Sequence, residues 1–240
     1  MLNKLRNAFK SAYFLFSAMP DLRLDEQYEE YWKEKRPEGL GAITPFQKER
    51  ASWILNYIEP DSSLLDIGCG DGGVLLYLRS EVENLDCTAV DYSADALKFL
   101  EKQGLQTRTV DLNDLESVEA LPDADYIVLF EILEHLQYSE KVLLGLTRKA
   151  KKGVFFSIPN SGYFPYRLRL LSGRFLMQWR MQPNEHLRFW TYKDLKWWLG
   201  QLGLRRDATI HLYEGIPLLN SLWKSMFAMG MVVFVRTSGE

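Results

Sequence analysis

The chain has 240 residues, 47% of them hydrophobic and 25% charged, which suits one sizeable globular core or two small domains. A formal net charge of −3 provides no dominant basic field and argues against a dedicated nucleic-acid binder. Cys69 and Cys87 are the only cysteines and form no CxxC pair, which argues against a disulfide framework or a cysteine metal cluster and fits a reduced, cytoplasmic protein.

In residues 1–19, Leu2, Leu5, Phe9, Tyr13 and Phe16 recur at helical spacing, with Lys4, Arg6 and Lys10 as the only charges. This reads as a helix that packs on the domain or forms a lid. A second reading is an interfacial helix making peripheral membrane contact. Lys10 interrupts the apolar run, against a signal peptide. No uncharged apolar stretch reaches the roughly 18 residues of a spanning helix. Residues 21–39 are charged and aromatic and predict a helix ending before Pro37, so 1–43 is taken as an N-terminal helical extension or lid. The main domain is 44–240.

Thr44 can cap a helix with Pro45 at its first position, running through Trp53, Ile54 and Tyr57 and stopping near Pro60. An alternation then begins. Strands are predicted at 63–67, 86–90, 106–110, 126–130 and 154–158, and helices at 74–80, 93–103 and 139–150, with Ser93 as a cap. Tyr126–Phe130 is uniformly apolar, as in the middle of a parallel sheet. Residues 161–182 carry Arg167, Arg169, Arg174 and Arg180, many aromatics and no acidic residue. They read as part of an insertion (161–186) over the sheet's carboxyl edge, covering a small, anionic or lipid-linked acceptor. A helix at 191–202 and strands near 207–213 and 231–236 complete an α/β, Rossmann-like sheet with helices on both faces.

The densest motif is Leu64-Leu65-Asp66-Ile67-Gly68-Cys69-Gly70-Asp71-Gly72-Gly73, after a strand and opening a helix. Gly68, Gly70 and Gly73 also satisfy GxGxxG, so a dinucleotide competes for the loop. Charge separates the two. A diphosphate wants bare N–H groups and no anion nearby, whereas Asp66 and Asp71 suit a ligand bearing an ammonium and a sulfonium. Asp91 ends the second strand about 20 residues later, where a carboxylate can accept ribose hydroxyls, or cap the next helix. Asp111, beside Leu112, ends the third strand, where it can meet an adenine amino group or simply form a turn. Cys69 reads as a small turn residue.

LLDIGCGDGG, the strand end AVDYS, the strand end VDL and LFEILEHL, in that order, resemble class I S-adenosylmethionine-dependent methyltransferases over about residues 50–236. FFSIPNSGYFPYRLRLLSGR and HLRFWTYKDL make the chain look most like the MetW-type (methionine-biosynthesis protein) family. The resemblance implies a seven-stranded sheet with its last strand antiparallel and S-adenosyl-L-methionine as cofactor. It implies that Asp66, Gly68 and Gly70 hold the methionine part, Asp91 the ribose, and Asp111 and Leu112 the adenine. Cys69, Tyr92 and Glu131 are further cofactor-pocket candidates. The resemblance leaves two functions open: an O- or N-directed methyltransferase, or a non-catalytic cofactor-binding protein partner of a biosynthetic acyltransferase.

Past the fourth strand, His135 is the first candidate base or acceptor contact, and His186 the second catalytic candidate. Glu131, Glu134, His135 and His186 are also residue types that hold a divalent metal. No metal is assigned at this stage.

Overall fold

A computed structural model describes Tyr13 and residues 40–178 and 186–237. Most of the expected N-terminal extension and residues 179–185 of the insertion lie outside these. Among the described residues, no helix is long and apolar enough to cross a membrane.

Helix α1 (Pro45–Ile54) starts at a capping box: Gln47 N–H donates to Thr44 Oγ1 at 3.2 Å and Thr44 N–H to Gln47 Oε1 at 3.0 Å. It ends before Tyr57, which lies in a following turn. The alternation then reads β1 (Ser63–Ile67), α2 (Gly73–Glu81), β2 (Asp86–Asp91), α3 (Ala94–Lys102), β3 (Gln106–Thr109), α4 (Leu115–Glu119), β4 (Ala124–Phe130), α5 (Ser139–Lys149) and β5 (Ala150–Pro159). Next come α6 (Phe164–Leu171), α7 (Tyr192–Gln201), β6 (Ala208–Gly215), α8 (Leu219–Leu222), α9 (Lys224–Phe227) and β7 (Ala228–Arg236). Ser93 caps α3 and Thr191 caps α7, as their sequence positions predict. Helix α4 falls outside the predicted elements because it is a short helix capped by Asp114, too short for an apolar period to register.

The strands form one sheet in the order β3-β2-β1-β4-β5-β7-β6. Pairings among β3, β2, β1, β4 and β5 are parallel, and β7 runs antiparallel to both β5 and β6. This is the expected mostly parallel sheet with an antiparallel last strand. Order reverses between β1 and β4, and the crevice past their carboxyl ends is where open α/β sheets bind ligands.

Alternation along the strands divides the core between the two faces. Leu65, Ile127, Leu129, Val154 and Phe156 pack on one side with Val142, Leu146, Leu195 and Trp198 of α5 and α7. Leu64, Tyr126, Val128 and Phe155 pack on the other with Ile54, Leu75, Leu78 and Leu100 of α1, α2 and α3. Burying both faces explains the unbroken apolar run of β4 and fixes its register, because a one-residue slip would exchange the faces.

Candidate active site

The loop after β1 is held by backbone and by one carboxylate. Gly68 and Gly70 adopt φ of 69° and 56°, a region costly for side-chain-bearing residues. The N–H groups of Gly68 and Cys69 both donate to the Val90 carbonyl, at 2.7 and 3.1 Å. Gly70 N–H donates to Asp91 Oδ2 at 2.7 Å, and Ser93 N–H to Asp91 Oδ1 at 2.8 Å. Asp91 thus fastens the glycine loop to the end of β2. A Cβ at Gly68 would collide with the Ile132 side chain, so the segment after β4 lies directly over the loop.

Asp66 is almost fully buried. Burial first, and then the Asp91 charge, push its carboxyl up to about 7, with Arg50 opposing. Burial also raises the Asp91 carboxyl, against the N–H donors of Ser93 and Gly70. Two desolvated carboxylates that repel one another form a site short of positive charge. A cationic nucleoside relieves that shortage and a diphosphate aggravates it, so these residues fit S-adenosylmethionine. Asp71 takes a different place from the one the motif suggested. It is buried, and its Oδ2 accepts from Gly41 N–H at 3.1 Å, which ties the segment before α1 to the loop. Burial, then the charges of Asp66 and Asp91, raise the Cys69 thiol well above its ordinary range, so it is no nucleophile.

Of the other expected cofactor contacts, Tyr92 is exposed beside Asp91 and Leu112 is half-buried against the core. Asp111 is exposed, and its Oδ1 accepts from Asn113 N–H at 2.9 Å, closing a turn.

Glu131, at the end of β4, has φ of 56°. Its Oε1 accepts from Ser157 Oγ at 2.8 Å and Tyr213 OH at 2.9 Å, and pairs with Arg50 Nη1 at 3.1 Å. The buried Arg50 guanidinium also lies over the Phe46 and Phe130 rings, at 4.7 and 5.3 Å. Sequence reasoning missed Arg50, Ser157 and Tyr213. The available signal was an arginine on the face of α1 that also carries Ala51 and Ile54.

The next residues form a 3-10 turn, Leu133–His135. Glu134 is fully buried, and among the described residues neither carboxylate oxygen has a hydrogen-bond partner. Burial, then the Glu131 charge, raise its carboxyl well above the usual range. The Glu134 carbonyl accepts from the N–H groups of Leu187 and Arg188, at 2.8 and 3.1 Å. Those bonds bring His186 to the turn, where the His135 and His186 rings meet edge to face at 4.7 Å. The two catalytic candidates, far apart in sequence, are therefore neighbours. One ligand atom each from Glu134, His135 and His186 falls within 4.8 Å of the others. Glu131, though also of a metal-holding residue type, lies outside this group.

The arginine-rich segment is less free than its composition suggested. Arg167 Nε donates to the Gly162 carbonyl at 2.6 Å, and the buried Arg169 donates through Nε to the Phe175 carbonyl at 3.2 Å. Tyr163 and Tyr166 are buried, while Phe175 is exposed. Arg180 lies outside the described residues.

A sequence model described as a methyltransferase domain matches residues 25–208. The chain belongs to the methyltransferase-domain family. A mitochondrial ubiquinone biosynthesis O-methyltransferase of Candida albicans is 32% identical over 154 residues, covering 59% of this chain and 46% of that protein. A bifunctional methionine biosynthesis protein MetXA/MetW of Rhodopirellula baltica is 26% identical over 172 residues, covering 65% and 27%. The chain spans less than half the length of either relative. Among solved structures, a SAM-dependent methyltransferase from Archaeoglobus fulgidus superposes with a TM-score of 0.58 at 20% identity, covering 88% of this chain and 100% of that one. The plantazolicin methyltransferase BamL, solved with a desmethylPZN analog and SAH, gives 0.56 at 16% identity, covering 98% and 96%. At these identities the structural likeness establishes the methyltransferase fold.

Proposed function

We propose that this chain is an active S-adenosylmethionine-dependent methyltransferase that methylates an oxygen or nitrogen of a small-molecule acceptor. The observation that carries the reading is the buried Asp66–Asp91 pair beside the glycine loop, two carboxylates at the switch point of a methyltransferase fold. The cofactor supplies an activated methyl group. Asp66 pairs with its ammonium, the Gly68–Gly70 backbone admits its methionine part, and Asp91 accepts from its ribose hydroxyls. Tyr92, Asp111 and Leu112 border the adenine, and Cys69 and Glu131 complete the pocket. His135 and His186 stand on the acceptor side, where a proton must leave if the acceptor is a hydroxyl. The rest of catalysis is in-line alignment and exclusion of water.

The relatives support a catalytic role: ubiquinone biosynthesis O-methyltransferases and a coclaurine N-methyltransferase stand beside the MetXA/MetW protein. A non-catalytic partner role of the MetW kind draws no specific support from the site. A lipid-linked acceptor draws support from exposed Leu168, Leu171 and Phe175 next to the insertion's arginines. An anionic acceptor draws less, since Arg167 and Arg169 already donate to backbone carbonyls.

Calorimetry with S-adenosylmethionine and with NAD tests the pocket, and binding of NAD alone would defeat the reading. Transfer of labelled methyl groups from the cofactor into a small-molecule extract tests the activity. Intact cofactor binding with no labelled product would instead favour the non-catalytic role.

A further inference from the structure

Glu134 is the outlying group in this site. It is fully buried, both its oxygens lack hydrogen-bond partners among the described residues, and its nearest charged neighbour along the chain is another carboxylate, Glu131. Buried carboxylates are normally paired, hydrogen-bonded or bound to a metal. Among the described residues the buried cation nearby, Arg50, is engaged by Glu131 at 3.1 Å. Two imidazoles stand against Glu134, with their ligand atoms and its own inside 4.8 Å. The arrangement is built from two separate parts of the chain: the 3-10 turn after β4 supplies Glu134 and His135, and the irregular segment before α7 supplies His186. That segment is clamped to the turn by the Leu187 and Arg188 N–H groups on the Glu134 carbonyl and by Arg188 Nη2 on the Gln137 carbonyl at 2.6 Å.

We propose that Glu134, His135 and His186 bind a divalent first-row transition-metal ion through one carboxylate oxygen and two imidazole nitrogens. The donor set selects the ion. Two imidazoles with one carboxylate suit zinc, cobalt or manganese, whereas magnesium and calcium prefer oxygen ligands. The ion supplies the positive charge that Glu134 lacks. Glu131 stays outside because its Oε1 is already held by Arg50, Ser157 and Tyr213.

Three protein ligands leave the coordination sphere incomplete, as in catalytic rather than structural sites. The remaining positions take water or an acceptor oxygen, so the acceptor class narrows to hydroxyl compounds. This narrowing rests on the methyl-transfer reading; metal binding does not. The acceptor O–H gives its proton to water, the oxygen forms a bond to the methyl carbon, and the C–S bond breaks with its electron pair kept by sulfur. Neutral S-adenosylhomocysteine leaves.

The test uses the full chain, stripped with chelator and titrated with zinc, cobalt, manganese or magnesium chloride. The expected result is about one zinc or cobalt per chain, visible cobalt d–d bands showing nitrogen ligation, and much weaker magnesium binding. His135→Ala and His186→Ala should each weaken zinc binding about tenfold or more and change the cobalt spectrum. Glu134→Gln should do the same, and circular dichroism confirms folding of each variant. Failure of zinc and cobalt to bind, or unchanged binding in both histidine variants, overturns the proposal. Calorimetry with S-adenosylmethionine on the stripped chain separates the two readings. Cofactor binding without metal binding defeats only the metal, and metal binding without cofactor binding defeats only the methyl-transfer assignment.

Discussion

Arg50 and Glu131 meet at 3.1 Å, joining α1 to the end of the central strand β4. Arg50 is buried and Glu131 only partly exposed, so neither charge is well solvated without the other. Removing one member of such a pair is costly, while replacing both with neutral groups of similar shape need not be. Arg50→Met should therefore destabilise the chain by about 3 kcal/mol in urea unfolding. The double variant Arg50→Met/Glu131→Gln should recover most of that loss. A double variant no more stable than the single one would show that the pair is not what holds α1 in place.

In our reading, Asp66 makes cofactor binding pH-dependent. Its carboxyl is raised to about 7 in the folded protein, so ionising it disfavours the folded state. That contribution to stability is greatest below the ordinary carboxylate value and is lost as pH rises through about 7. A bound ammonium reverses the preference. Below about 7, binding must expel a proton from Asp66, and above about 8 the ligand's own α-amino group deprotonates. Affinity for S-adenosylmethionine should peak between these values. Calorimetry across this range checks it, and Asp66→Asn should abolish the acid limb. An unchanged acid limb in that variant would assign the titration to another group.

Asp91 both organises the loop and faces the ribose in our reading. Asp91→Ala removes the acceptor for Gly70 and Ser93 N–H. Losing charged hydrogen bonds at about 1.5–3 kcal/mol each should weaken cofactor affinity about 100-fold or more and lower the melting temperature. Asp91→Asn keeps an acceptor oxygen and should retain more stability than affinity. Thermal denaturation beside calorimetry separates the two losses, and equal losses in both variants would remove the ribose role.

Gly68→Ala should fail for two reasons, its backbone conformation and the collision with Ile132. The backbone part costs about 1–3 kcal/mol and persists whatever surrounds it. Adding Ile132→Ala should recover the steric part only. Complete recovery of cofactor binding in the double variant would mean that the backbone conformation imposes no constraint.

What the sequence made legible follows from distance along the chain. Most of the strands are readable because they carry their own apolar pattern, β3 (Gln106–Thr109) being the polar exception, and the glycine loop because its requirements lie within ten consecutive residues. The segment bearing Glu134 and His135 is legible from its place just past the fourth strand, at the edge where such sheets bind ligands. The Arg50–Ser157–Tyr213 grip on Glu131 was not, because its members come from α1, β5 and β6 and share no local motif. Asp71 shows the same limit. Its motif position suggests a ligand-facing charge, but among its contacts is a backbone N–H thirty positions earlier, which no pattern could supply. Arg167 and Arg169 appeared as open cations because side-chain composition says nothing of the carbonyls they would meet.

The bond from Gly41 to Asp71 has a practical corollary for anyone trimming this protein. A truncation beginning at Thr44 would keep the whole sheet, the helix cap and each residue assigned to the nucleoside, yet it would take away a donor that steadies the glycine turn from behind. The shortest functional unit therefore starts earlier than the first regular helix of the sheet domain, and a shortened chain that folds well can still hold its cofactor poorly.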